Sequence, residues 1–354
     1  MKGKKTSSSI SKINKENISL SNAPQIIKDE HKKSTVQLES TETEEKIYLL
    51  GFMPMNEISA LVLGELGESV DLNRIKNLWL PKTKAVQELV KTDMRLLDDE
   101  KLNDVIKDID TKYSKKIEEI EKKLNLNPFW QANKYSIKLV KIDELIALQG
   151  FVNIDRANKL STKISKDVTM PELIDFTIDL DRKPDVIHHH QINNNAILFS
   201  TDNHDVRPGK IEVRQIPKNN DVENLDGNYI SALIIPVIEG DAVIYCLKTF
   251  NFIKMPDGTQ KRNYYLRIQN GLHRAYALRS LGIEYMPCLI VEPTSAVETG
   301  LLTGQWSPER IAQEISQRPP LMKDFFNPEL TEKFQVRKTK MCIKVEWKID
   351  KFTT

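Results

Sequence analysis

The sequence predicts a protein of mixed helices and strands, and three stretches make the prediction. Between residues 46 and 127 apolar side chains recur at helical spacing. From Pro208 to Gly258 the pattern changes to strands (KIEVRQI, YISALIIPVI and AVIYCLKTFNFIKM) separated by Asn, Asp and Gly turns. Tyr264 to Glu292 then runs through strand, tight turn, helix and strand without a break.

Residues 1–45 are rich in Ser, Lys, Asn, Thr and Glu and show no period, which predicts a disordered tail. Five lysines and no acid fall in the first fifteen residues, so a nucleic-acid tether is the alternative to a plain solvated tail. From Lys46 to Met53 a short apolar run reads as a strand or docking segment. Residues 46–127 then form a helical module. Asn56 caps a helix to about Leu66, Asp71 caps a second through Leu80 that Pro81 stops, and a third covers about Thr83 to Leu97. Leu102 to Leu124 carries apolar residues at steps of three and four with Lys, Glu and Asp elsewhere. That predicts one amphipathic helix, packing on its own domain or serving as a homodimer arm of coiled-coil type.

A domain over residues 128–300 begins after Asn127-Pro128. Ile137, Leu139, Val140 and Ile142 suggest a strand leading to a turn at Gln149 and Gly150, with Asp155 as cap of the next helix and Met170-Pro171 opening another. The run His188 to His190 invites a metal reading with His204, Asp202 or Asp205. The spacing matches no standard zinc pattern, and a polar loop is the preferred reading. YISALIIPVI is nearly continuous in apolar residues and predicts a central strand covered on both faces. Pro256-Asp257-Gly258 has the chemistry of a hairpin turn. In an extension over residues 301–354, Ser307-Pro308 starts a helix, and KMCIKVEWKID alternates as a strand with a lysine-rich outer side.

Composition narrows the function classes. The 354 residues carry 52 basic and 50 acidic side chains, net +2, so any nucleic-acid or membrane contact must come from a local patch. Cys246, Cys288 and Cys342 are far apart and sit in apolar runs, which reads as reduced cysteines of a cytoplasmic protein. No apolar run approaches the roughly 18 residues of a membrane-spanning helix, and the start lacks a signal core.

The turn at Asn270–Arg274 is the strongest candidate site. Gly271 permits a left-handed backbone and close approach of a ligand. Leu272, His273 and Arg274 open the following helix, where free N–H groups and the positive dipole end favour an anion. An imidazole and a guanidinium added there make a phosphate site, with capping and ion-pairing of the helix as the purely structural alternative.

The unit NGLHRAYALRSLG followed by YMPCLIVE resembles the ParB/sulfiredoxin superfamily, with Gly271, His273, Arg274, Ala277, Leu281, Gly282 and Pro287 in register. VKIDELIALQ looks like the opening strand and loop of the same domain, with Gln149 as the matching polar residue. The resemblance spans about residues 135–293 with a longer middle than the minimal domain. It implies a small α+β fold with a mixed sheet, in which the turn holds the phosphates of ATP or CTP, with Mg²⁺ where hydrolysis or transfer occurs.

Members include CTP-binding partition proteins, ATP-using sulfinic acid reductases, free serine kinases and nucleases. Leu272 stands where the reductases carry a cysteine, which disfavours that chemistry. The resemblance implies an NTP-hydrolysing or phosphotransfer enzyme with Asn270, Gly271, Leu272, His273 and Arg274 around the phosphates. Gln149, Asn153 and Arg156 are second-rank contacts, and Asp143 or Glu144, with His273, are the candidate catalytic groups. The alternative is a DNA-associated or nuclease-type protein using the helical module and the basic strand at 333–351.

Overall fold

The structure, a computed structural model, describes residues 42–61, 64, 66, 71–93, 95–126, 130–131, 133–181, 188–193, 196–201, 207–216, 229–237, 243–255, 257–292, 318–338 and 341–346. Its first elements are β1 (Thr43–Tyr48), α1 (Met55–Leu61), α2 (Leu72–Thr92), α3 (Asp99–Val105), β2 (Ile106–Lys107) and α4 (Ser114–Leu124). Next come β3 (Tyr135–Lys141), β4 (Ile146–Ala147), β5 (Phe151–Asn153), α5 (Ile154–Ser161) and α6 (Met170–Thr177). The strands β6 (His188–Asn193), β7 (Ala196–Thr201), β8 (Arg207–Ile216), β9 (Tyr229–Val237), β10 (Tyr245–Lys254) and β11 (Gln260–Asn270) follow. The described chain closes with α7 (Leu272–Ser280), β12 (Tyr285–Val291), β13 (Glu332–Arg337) and β14 (Met341–Glu346). Helices and mixed sheets together are of the α+β kind.

A six-stranded sheet in the order β2-β3-β12-β10-β11-β4 forms the centre. The pairs β12–β10 and β11–β4 are parallel and the others antiparallel. Strand alternation gives the sheet two different faces. Cys246, Leu266, Ile268, Met286, Cys288 and Ile290 lie on one, buried with Ile154 and Ala157 of α5 and Leu272, Ala275 and Leu278 of α7. Ile137, Tyr245, Leu247, Leu289 and Val291 lie on the other, beneath Ile120 and Leu124 of α4, Trp130 and Ile174 of α6.

A second sheet, β13-β1-β5, pairs a strand near the start of the described chain with one near its end, Thr43 facing Arg337 and Tyr48 facing Glu332. β1 therefore begins inside the stretch expected as tail. Residues 1–41 lie outside the described ones. The helical segment shares the central core, since Leu97 and Val105 are buried with Val140 and Leu266, and β2 extends the six-stranded sheet.

Several expectations are corrected. Pro81 does not end a helix but lies inside α2, which starts at the predicted cap, Asp71, whose carboxylate accepts from the Asn73 N–H at 2.9 Å. Proline loses its own N–H bond and crowds the carbonyl one turn back, and tertiary packing compensates: Ile75 is buried, and Lys82 pairs with Glu332 at 3.2 Å. Gly51 makes the fit possible, because a Cβ there would stand 2.5 Å from the Lys82 carbonyl oxygen.

The expected helix over 102–124 is broken in two, with Ile106 pairing against Val140 as an edge strand and Asp110 capping a short turn before α4. Its apolar side chains Ile120 and Leu124 are buried in the chain's own core, the first of the two expected packings. Asn153, not Asp155, caps α5, while Asp155 accepts from the Glu45 N–H at 3.0 Å. His188–His190 form a strand against Leu198–Ser200 instead of a loop, in the order β14-β7-β6. YISALIIPVI, expected as a central strand, pairs only with β8 among the described residues.

The hairpin between β10 and β11 forms as expected. Gly258 has φ 85° and its N–H donates to Met255 at 2.9 Å, while the Asp257 carboxylate accepts from the Thr259 N–H at 2.9 Å. The helix expected at Ser307 and the ligands Asp202, His204 and Asp205 lie outside the described residues. Among those described, no helix is long and apolar enough to cross a membrane.

Candidate functional site

β11 delivers the chain to the turn, and α7 leaves it over the first sheet face. Gly271 has φ 96°, a left-handed conformation that side chains with a Cβ resist, and an added Cβ would meet Ile244 Cγ1 at 2.6 Å. Sterics and backbone together require glycine here, whatever binds. Asn270 fastens the turn from the strand side, its Nδ2 donating to the Val243 carbonyl at 2.6 Å. The Leu272 side chain is buried in the core.

His273 and Arg274 are adjacent in sequence but do different work. His273 is half-buried, and its Nε2 accepts the Asn153 N–H at 3.1 Å. An accepting Nε2 places the proton of the neutral ring on Nδ1. Arg274 points into the protein and is 7% exposed. Its Nη1 donates to the carbonyls of Phe176 (3.4 Å) and Thr177 (3.2 Å), the last turn of α6, where a cation meets the negative end of the helix dipole. Arg274 thus ties α6 to α7 and does not itself present a guanidinium at the turn.

The Asn153–His273 bond brings two helix starts together. Asn153 caps α5, its Oδ1 accepting from the Arg156 N–H at 2.9 Å, and its Nδ2 donates to Glu44 Oε2 at 2.7 Å. Arg156 is half-buried in the first turn of α5, and Gln149 is half-buried just before Gly150, whose carbonyl accepts the Leu49 N–H at 2.8 Å. Of the expected set, Asn153, Arg156, Asn270, Gly271, Leu272 and His273 therefore gather around two adjoining helix N-termini.

Asp143 and Glu144 do not join them. Asp143 is held by Arg279, with Nε at 2.6 Å and Nη2 at 3.0 Å, a bidentate pair whose hydrogen bond raises the arginine's pKa. Arg279 is six residues beyond His273, roughly 9 Å along the helix at 1.5 Å per residue. Glu144 lies 3.7 Å from Arg95 Nε. Asp143 sits at the far end of α7 from the turn, because β3 ends beside Tyr285, just beyond that helix.

Glu44 and Lys46 were missed by sequence reasoning. Both are buried on β1, 3.2 Å apart, with Lys46 over the Phe151 ring at 4.7 Å and Glu44 on Asn153. The available signal was the apolar run that follows them, which extends into the charged residues as a strand. A buried polar cluster on the second sheet face was also missed. Arg267 donates to Thr249 Oγ1 at 2.9 Å and lies 5.6 Å from the Tyr265 ring, while burial and the neighbouring Arg95 lower its pKa to about 10. The Cys246 and Cys288 thiols are buried on adjacent strands, and burial pushes that of Cys288 up.

Among the described residues no group of three or more His, Cys, Asp or Glu is placed to hold a metal ion. Comparison of the chain with protein-family models, curated proteins and solved structures found no match.

Proposed function

We propose that the chain is a ParB/sulfiredoxin-like protein that binds a nucleoside triphosphate, ATP or CTP, by its phosphates at the adjoining starts of α5 and α7. The observation that carries this reading is the bond from the Asn153 N–H to His273 Nε2, which sets one helix N-terminus against another. Two positive dipole ends then face one anion. In this reading the Leu272 and His273 N–H groups and the Arg156 side chain contact phosphate, and Arg274 is a positioning residue. Mg²⁺ enters only with the nucleotide, since Asp143 and Glu144 are committed to Arg279 and Arg95. The carboxylate linked to the site is Glu44, through Asn153, so binding or switching is better supported than hydrolysis.

Calorimetric titration of the whole chain with ATP, CTP and GTP in Mg²⁺ tests the reading. One of them should bind, His273→Ala and Arg156→Ala should each weaken it about tenfold or more, and Asp143→Asn should leave it unchanged. Absence of binding by the intact protein would sink the proposal.

A further inference from the structure

The β10–β11 hairpin carries an exposed aromatic face that the nucleotide reading does not use. Beyond Leu247, β10 has no strand on its outer edge among the described residues. Lys248, Phe250, Phe252 and Lys254 alternate on one side of it, opposite Leu266, Tyr264, Arg262 and Gln260 of β11. Phe250 and Phe252 are 49% and 59% exposed, with ring centroids 5.5 Å apart. Arg262 lies over Phe250 at 5.3 Å, and Tyr264 flanks the same ring at 5.8 Å. Lys248 stands 5.6 Å over Tyr264 and pairs with Glu292 at 2.9 Å.

Apolar contact with another protein would explain exposed phenylalanines, but not their interleaving with cations on the same face. Rings at positions i and i+2 of a strand are spaced to receive successive unstacked bases, and flanking Arg and Lys meet the phosphates between them. Glu292 pairs with Lys248 at 2.9 Å, and Asp99 lies 3.9 Å from Arg262, at the margin of an ion pair, so the three cations of the face outnumber its two acids.

We propose that this face binds single-stranded nucleic acid, with bases stacked on Phe250 and Phe252 and the backbone held by Lys254 and Arg262. The segment is distinct from the lysine-rich strand near the C-terminus. There Lys333 and Lys338 are already paired, with Glu45 at 3.6 Å and Glu42 at 3.0 Å.

The test is fluorescence anisotropy of the whole chain with labelled oligothymidine and oligouridine of about twelve nucleotides, within the usual site sizes. Binding is expected, falling with salt at a log–log slope of about −1.4 for two cations. Phe250→Ala with Phe252→Ala should weaken it at least tenfold with the circular dichroism spectrum unchanged, whereas Phe250→Tyr with Phe252→Tyr should retain it. Arg262→Ala should flatten the salt slope. No binding of either oligomer, equal binding by the alanine pair, or capture by anionic phosphatidylserine vesicles in place of oligomers would each overturn the proposal.

Discussion

At the scale of single residues, the turn shows how one motif divides into separate physical tasks. Gly271 is held by its backbone angle and by Ile244, so Gly271→Ala should cost about 1–2 kcal/mol for the left-handed residue and about 1–3 more for overpacking. Urea denaturation followed by far-ultraviolet circular dichroism measures the loss, and an unchanged midpoint would contradict this account. His273 and Arg274 have the same prior as anion ligands when seen as letters. Their difference comes from what lies behind the turn: α6 ends in carbonyls that need donors, and the longer side chain reaches them.

Among elements, α5 and α7 matter most, and the bond that joins their starts depends on Asn153. Asn153→Ala removes a cap and the Glu44 contact together, which should cost about 1–2 kcal/mol and loosen the α5 start. Thermal denaturation would show it, while Asp155→Ala should cost less because that side chain is no cap. The elements with strong local signals were legible in the sequence: the β10–β11 hairpin at Asp257-Gly258, α7 between two left-handed glycines, and α6 opened by Met170-Pro171. Those decided by distant partners were not. Ile106 reads as one more step of a helical stripe until Val140 offers it a strand edge. Pro81 reads as a stop until the packing of Ile75 and Gly51 carries the helix through. The site was legible as a turn and unreadable as a set, because the place of Asp143 depends on which end of α7 β3 approaches.

For the whole molecule, the boundary at Asn127-Pro128 marks a change of composition more than a change of core, since residues on both sides are buried together. The outer sheet carries the same lesson across a longer span. β1 has Tyr48 buried against Phe151 and Phe334, with ring centroids 5.4 and 5.7 Å apart, so neither end of the described chain packs without the other. The Lys338 N–H meets the Glu42 carbonyl at 2.8 Å, and the side chains of the same two residues pair across 296 positions of sequence.

That meeting has a temporal consequence. A contact across so long a loop repays its closure entropy only after the intervening chain has condensed, so the β1–β13 ladder should be the last part to form and the first to open. Hydrogen exchange should find the amides of Glu45 to Tyr48 and Lys333 to Val336 releasing together, at a lower free energy than those of Leu266 and Leu289 in the central sheet. Equal protection in both places would mean that the two sheets come apart as one. The final step in making this protein would then be a clasp, with β13 closing on the edge of β1 opposite the one that pairs with β5.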